Sequence, residues 1–162
     1  MTYSVRRARP EDSEAIGRMH SASIRELCSG HYSAGEIEAW AAPRAANFYV
    51  EAIERKEFYV AEEGAEIIGF GTLNQTNGEV EAVYVHPQFV RRGVGLELLR
   101  TLEGRVRELG LMSLHLCASL NGVPFYERAG FRRQYNTSHQ LANGVEIACV
   151  VMTKELQEET FG

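Results

Sequence analysis

The sequence predicts an α/β fold, of the α+β kind, with a mixed and mostly antiparallel sheet of about seven strands flanked by helices. Three observations carry this. Glycine-marked reversals at Glu63-Gly64-Ala65 and Asn77-Gly78 separate three β-rich segments in a row. A strand, helix, strand, helix run follows. The chain then closes on two more strands joined by Ala142-Asn143-Gly144. This order is neither a βαβ repeat nor an all-β pattern.

The elements follow in order. Tyr3–Arg7 reads as a first strand. Pro10, Glu11 and Asp12 then open a helix, because proline suits the first helical position and acids suit the positive end of the helix dipole. Ile16, Met19, Ser23 and Leu27 give that helix one inner face. Ser29 to Ser33 breaks it. Ser33, with Glu36 three residues on, makes a capping box for a short helix through Trp40. Pro43 ends that helix, and a further one spans about Arg44 to Glu54. Strands are expected at Glu57–Glu62, Glu66–Leu73 and about Glu79–Val85. A helix opened by Gly93-Val94-Gly95 carries apolar residues at 94, 98, 99, 102, 106 and 109, and ends at Gly110, a C′ residue. Met112–Cys117 is the next strand. Pro124 sits in the first turn of the helix that carries Tyr126, and Gly130 ends it. The last strands are about Phe131–Leu141 and Val145–Thr153.

The stretch from Val83 to Leu99 holds the densest chemical signal. Val80, Val83 and Val85 are β-branched and Tyr84 is aromatic, types that suit a pleated surface. His86-Pro87 stops the strand, since proline offers no N–H to a ladder. The helix that follows begins with unpaired backbone N–H groups and partial positive charge. Gly93 and Gly95 let a bulky anion approach the backbone, and Arg91 and Arg92 add charge beside it. The simplest ligand is a phosphate or pyrophosphate; a tight turn with two solvated arginines is the other reading. The loop is not a Walker P-loop, because no Gly-Lys-Ser/Thr follows. Nor is it a full Gly-x-Gly-x-x-Gly fingerprint, because Leu98 stands at the third glycine's position.

A second motif lies about thirty residues on, at Phe125-Tyr126-Glu127-Arg128-Ala129-Gly130-Phe131. Together with Val90-Arg91-Arg92-Gly93-Val94-Gly95 it resembles the GNAT N-acetyltransferase family. That family pairs Arg/Gln-x-x-Gly-x-Gly/Ala after a strand with a downstream Phe-Tyr-Glu-x-x-Gly-Phe. The resemblance runs from Ser4 to about Lys154. Two positions depart from the pattern. Val90 replaces the usual Arg or Gln, and Ser119 stands where the family often has Asn, with Asn121 two places later. Neither removes a backbone donor.

The resemblance implies a GNAT-like sheet splayed between parallel strands 79–85 and 112–117, with acetyl-CoA in the cleft. Backbone N–H groups of Arg91, Arg92, Gly93, Val94, Gly95 and Leu96 would hold its pyrophosphate. Its pantetheine arm would pair along Val83, Tyr84 and Val85, with the Val85 N–H as oxyanion donor. Ser119 and Asn121 would also border the cofactor. Tyr126 would be the general acid, since a phenol with a pKa of about 10 can hand a proton to a thiolate whose thiol has a pKa of about 8.5. Glu79, Glu81, Val83 and Val85 are expected on one strand face by alternation. Glu81 is then the candidate general base, with Glu79 or an ordered water as alternatives. His31, Arg25 and His139 are candidate acceptor contacts. The family also sets the last strand beside 112–117, so Cys149 is expected near Cys117, both as buried reduced thiols.

Length and composition bound the rest. The 162 residues are expected to form one domain, residues 1–162, with 44% apolar and 24% charged residues. A net charge of −5 argues against nucleic acid as a partner. No run is apolar enough for a membrane span, and no signal-peptide pattern stands at the start. The three cysteines are far apart, which gives no metal pair and fits a reducing cytoplasm. No histidine pair has metal-site spacing. The resulting expectation is an N-acetyltransferase that moves acetyl from acetyl-CoA to a primary amine of a small molecule, amino acid or peptide. A non-catalytic acyl-CoA-binding module and an interaction protein are the alternatives. An exposed edge strand is compatible with a homodimer.

Overall fold

The computed structural model describes residues 2–157. The chain runs β1 (Ser4–Arg7), α1 (Ser13–Leu27), α2 (Ala34–Ala41), α3 (Phe48–Arg55), β2 (Glu57–Glu63), β3 (Glu66–Asn74) and β4 (Glu79–Val85). It continues through α4 (Val94–Glu108), β5 (Ser113–Ser119), α5 (Val123–Arg128), β6 (Arg132–Gln140) and β7 (Glu146–Glu155). One seven-stranded sheet has the order β1-β2-β3-β4-β5-β7-β6. Every neighbouring pair is antiparallel except β4 and β5, which are parallel and share a single registered pair, Glu79↔His115. The expected mixed, splayed sheet is what the chain forms.

Local chemistry sets most boundaries. Ser33 accepts from the Glu36 N–H at 3.1 Å, and Glu36 Oε1 accepts from the Ser33 N–H at 2.9 Å, so α2 starts on its capping box. Two helix starts differ from expectation. Pro10–Asp12 is a single 3-10 turn, because the Asp12 carboxylate turns back to the Arg9 N–H (2.7 Å) and to Arg6. The third helix begins at Phe48 rather than Arg44: Ala42 and Pro43 leave α2 in an extended exit, and the Asn47 side chain bonds Glu51 at 3.0 Å across the first turn.

The helices cover the sheet on two faces. Leu98, Leu99, Leu102 and Val106 of α4 are fully buried against Tyr59, Val80, Leu114, Leu116, Val150 and Met152. Each such side chain contributes about 1.5–3 kcal/mol of burial. On the other face Ile16 and Met19 of α1 pack on Phe58, Val60 and Phe70, and Ile24 with α2 packs toward Ile147. β6 lies at the sheet edge and is exposed along its whole length.

The cysteine expectation needs correction. Cys117 and Cys149 are joined as a disulfide, with Cα atoms 5.7 Å apart. Their strands pair with Cys117 opposite Val151 and Ser119 opposite Cys149, so the two side chains stand diagonally on one face within bridging reach. Cys149 is buried, but Cys117 is exposed, because alternation points it away from the α4 core that takes Leu116 and Ala118. Cys28 is a buried free thiol.

Candidate active site

The parting of β4 from β5 is the starting point. Beyond Glu79 the edge of β4 that faces β5 meets no strand, so its backbone donors and acceptors there face an opening. The other edge stays laddered to β3 as far as Gly69↔Val85.

A bulge re-aims β4. Thr72 pairs with Ala82 and Leu73 with Val80, which leaves Glu81 as the extra residue. Val80, Val83 and Val85 therefore face α4, while Ala82 and Tyr84 face α1. The expected alternation of Glu79, Glu81, Val83 and Val85 onto one face fails at this bulge. Glu81 instead forms an ion pair with Lys56 at the end of α3.

The loop after β4 is built from left-handed turns. The Gln88 N–H donates to His86 Nδ1 at 3.1 Å, closing a 3-10 turn at Pro87–Phe89. Arg91 has φ 65° and Gly93 has φ 80°, on either side of Arg92. Such turns gather successive N–H groups into an anion-binding concavity. The first α4 donor with a helical acceptor is Glu97, whose N–H bonds Gly93 O at 3.0 Å. The N–H groups of Val94, Gly95 and Leu96 are thus left without helical partners. A Cβ on Gly95 would meet Phe125 at 3.4 Å and Val85 at 3.5 Å, so the missing side chain lets the helix start close on both arms of the splay. Arg92 is tied to Glu63 at 2.7 Å and lies over the Phe89 ring. Arg91 is exposed and has no ion pair among the described residues.

Across the opening, α5 presents Tyr126. The side chain is 8% exposed, packed edge-on to Phe125 and Phe131, and burial pushes its phenol pKa well up. Gly122 lies close to both it and Ser119: a Cβ on Gly122 would stand 3.0 Å from Ser119 Oγ and 3.5 Å from the Tyr126 ring. Asn121 Oδ1 is buried without a partner. Asn121 lies beside the Cys28 thiol, which burial pushes up to about 11 against the pull of that amide. The Tyr32 hydroxyl accepts from the Leu120 N–H at 2.9 Å and donates to the Ala148 carbonyl at 2.6 Å, which fixes the turn into α5.

Tyr84 stands between these groups. Its phenol is pushed up by burial and by the neighbouring Cys28 and Tyr126, with Arg44 acting the other way. Its ring packs on His20 at 4.3 Å and on Phe70 at 5.5 Å. His20 Nδ1 and the Tyr49 hydroxyl share a hydrogen bond of 2.8 Å. Burial, then the Arg44 charge, hold the His20 pKa well below its ordinary value.

The three acceptor candidates are not gathered here. His31 is exposed in the α1–α2 connection, His139 is exposed on β6, and Arg25 is exposed and reaches Glu38 at 3.5 Å. Tyr49 and Arg44 are the groups that sequence reasoning passed over. His20, which the resemblance sets on the helix that often lines the acceptor pocket, falls four residues after Ile16 on the inner face of α1. A concavity of about 530 Å³ lined by Arg107, Arg132 and Lys154 lies at the far end of α4 from the glycine loop, away from these motifs.

The model of the acetyltransferase (GNAT) domain family matches residues 28–156. The chain belongs to the GNAT acetyltransferase family. A relative in Escherichia coli K12, described as the uncharacterized N-acetyltransferase YafP, is 28% identical over 128 residues, which is 79% of this chain and 80% of that protein. A GCN5-related N-acetyltransferase of Rhodopseudomonas palustris superposes with a TM-score of 0.91 at 29% identity, covering 96% of this chain and 97% of its own. PaiA N-acetyltransferase of Thermoplasma acidophilum, solved in complex with coenzyme A, has a TM-score of 0.80 at 22% identity, with 96% and 99% covered. The GNAT fold is thereby confirmed. Among the described residues no helix is long and apolar enough to cross a membrane.

Proposed function

We propose that this GNAT protein is an acetyl-CoA-dependent N-acetyltransferase that moves the acetyl group to a primary amine by direct attack. The observation that carries the reading is the parting of β4 and β5 after Glu79↔His115, with the glycine-opened N-terminus of α4 at its mouth and Tyr126 on its far wall. The orphan donors of Val94, Gly95 and Leu96, beside the exposed Arg91, suit a pyrophosphate. That the PaiA structure holds coenzyme A on a shared fold supports the same carrier here.

When bound, acetyl-CoA supplies the activated acyl group. The free edge of β4 at Val83–Val85 would take the pantetheine amides as an added strand, and the Val85 N–H would donate to the thioester oxygen as charge builds on it. Tyr126 would give its proton to the leaving sulfur. Burial makes its phenol a weaker acid, but the same desolvation raises the basicity of a thiolate formed beside it, so the two stay matched. The acceptor loses one proton before or as it attacks. Glu81, held by Lys56 in the bulge, could take it only through water, and water alone suffices for an amine in open contact with solvent.

Calorimetry with acetyl-CoA and coenzyme A tests the reading, with Gly93→Glu as the control. Micromolar binding that the variant loses is expected, together with thiol release when amines are added. No binding of either ligand would overturn it; binding with no turnover of any amine would leave an acyl-CoA-binding module.

A further inference from the structure

Among the described residues the fold half-buries three arginines: Arg6, Arg44 and Arg105. Two of them are tied to carboxylates. Arg6 holds Asp12 and Glu62, each at 2.8 Å. Arg105 holds Glu57 and Glu108, each at 2.5 Å. Arg44 has no carboxylate among the described residues, in a chain with 22 acids against 17 bases. Its Nη2 makes one long bond to the Trp40 carbonyl, 3.3 Å, and the guanidinium lies 5.7 Å from the Phe48 ring centre. A guanidinium that has given up part of its hydration is suited to a planar anion.

A chain of contacts joins it to the site: Phe48 packs on Tyr49 at 5.0 Å, Tyr49 bonds His20 Nδ1 at 2.8 Å, and His20 packs on Tyr84 at 4.3 Å. The Tyr49 hydroxyl occupies His20 Nδ1, which leaves Nε2 as the second ring nitrogen of His20. That Nε2 is buried and has no partner among the described residues, on a side chain only 7% exposed. The α1 face of the sheet thus holds a guanidinium without a carboxylate and a ring nitrogen without a partner. The pyrophosphate loop does not explain them, because α4 lies on the opposite face of the sheet. A single guanidinium with no second cation beside it matches a carboxylate, which takes two parallel N–H bonds, better than a phosphate dianion.

We infer that Arg44 is the acceptor-binding residue for an anion, and that the acceptor is an amine carrying its own carboxylate, of the amino-acid type. This rests on the acetyltransferase reading and narrows it. Tyr84, packed on His20 at 4.3 Å, would border the amine while the carboxylate rests on Arg44.

The test compares free acid, carboxamide and descarboxy amine for one side chain at a time: phenylalanine, phenylalaninamide and phenethylamine, then the methionine and glutamate sets. Thiol release is followed for the native protein, Arg44→Ala and Arg44→Lys. Native kcat/KM for at least one acid should exceed that of its amide by tenfold or more. Arg44→Ala should raise KM for that acid at least tenfold, leave the amide unchanged and leave acetyl-CoA binding unchanged; Arg44→Lys should recover part of the loss. Equal turnover of acid and amide, turnover of neither, or an equal loss for all acceptors in Arg44→Ala overturns the inference while leaving cofactor binding intact. Failure to bind acetyl-CoA by calorimetry brings down the acetyltransferase reading and this inference with it.

Discussion

Tyr126 on α5 adds, after burial and Cys28, to the rise in the pKa of Tyr84 on β4, burial raises the Tyr126 phenol itself, and neither hydroxyl makes a hydrogen bond among the described residues. The proposed acetyl transfer gives each of these phenols a distinct part. Tyr126→Phe removes only the oxygen, so acetyl-CoA affinity should change less than twofold while kcat falls by about 10²-fold or more, the usual worth of a positioned acid. Tyr84→Phe should act mainly on the acceptor KM. Steady-state kinetics with both substrates varied separate the two. A Tyr126→Phe enzyme with native kcat would remove the phenol from the mechanism.

Glu81 offers a sharper question. Its bulge position and its ion pair with Lys56 make it a structural carboxylate as much as a base. A base role predicts that Glu81→Gln lowers kcat/KM about 10²-fold at neutral pH and shifts the acidic limb of its pH profile. A structural role predicts that Glu81→Gln and Lys56→Met lose similar, small amounts of stability, within about 1 kcal/mol, with the pH profile unmoved. The second outcome is expected, because Lys56 already occupies the carboxylate.

Much of the architecture was legible because it is written in local chemistry. Ser33 and Glu36 name a helix start, and Gly64, Gly78, Gly110, Gly130 and Gly144 all take the positive φ that their turns or caps need. The glycine loop and the Tyr126 motif were readable for the same reason, since adjacent residues carry each. What stayed hidden depends on pairing across the sheet. The bulge at Glu81 is set by the register of β3, so alternation along β4 alone gave the wrong face. The disulfide depends on a diagonal between β5 and β7, and the reading of two reduced thiols rested on strand burial that Cys117 does not have. Arg44 and His20 are 24 residues apart, and the fold brings the charge of one within range of the other. No spacing rule links them.

Gly78 sits where β4 and β5 last touch. Its φ is 78°, a Cβ there would stand 2.8 Å from the Ser113 carbonyl oxygen, and its own carbonyl accepts from the His115 N–H at 3.2 Å. Gly78→Ala combines left-handed strain of about 1–2 kcal/mol with an overpacking cost of about 1–3 kcal/mol. Urea unfolding should show a loss of about 2–5 kcal/mol. Gly104→Ala, in the middle of α4 with nothing near its Cβ, should instead stabilise by about 0.5–1 kcal/mol.

Asp12 links stability to pH. Its hydrogen bond from Arg6 holds the carboxyl below the usual carboxylate range, with the Arg9 N–H adding to the effect and burial opposing it. A folded pKa below the unfolded one means that the stabilisation is present above the unfolded value, about 4, and is lost as pH falls through the folded value. Asp12→Asn should therefore cost about 1–3 kcal/mol at pH 7 and little at pH 2. Urea midpoints of native and variant protein should converge on acidification. A gap that stays constant from pH 7 to pH 2 would assign the loss to packing.

The Cys117–Cys149 bond closes a segment with a sequence separation of 32, which contains β6, α5 and the whole Tyr126 motif. In the chain-entropy account a loop of that size stabilises the folded state by about 3–4 kcal/mol through restriction of the unfolded chain. Urea unfolding with and without a dithiol reductant should differ by about that amount, and Cys117→Ala should reproduce the reduced curve and lose its sensitivity to reductant. Cys117 is exposed, so the reductant has a path to the sulfur without prior unfolding. Curves that coincide with and without reductant would mean that both thiols are free in the native protein, as β-strand cysteines of a reducing compartment are. The strand register would then hold them adjacent with no covalent tie.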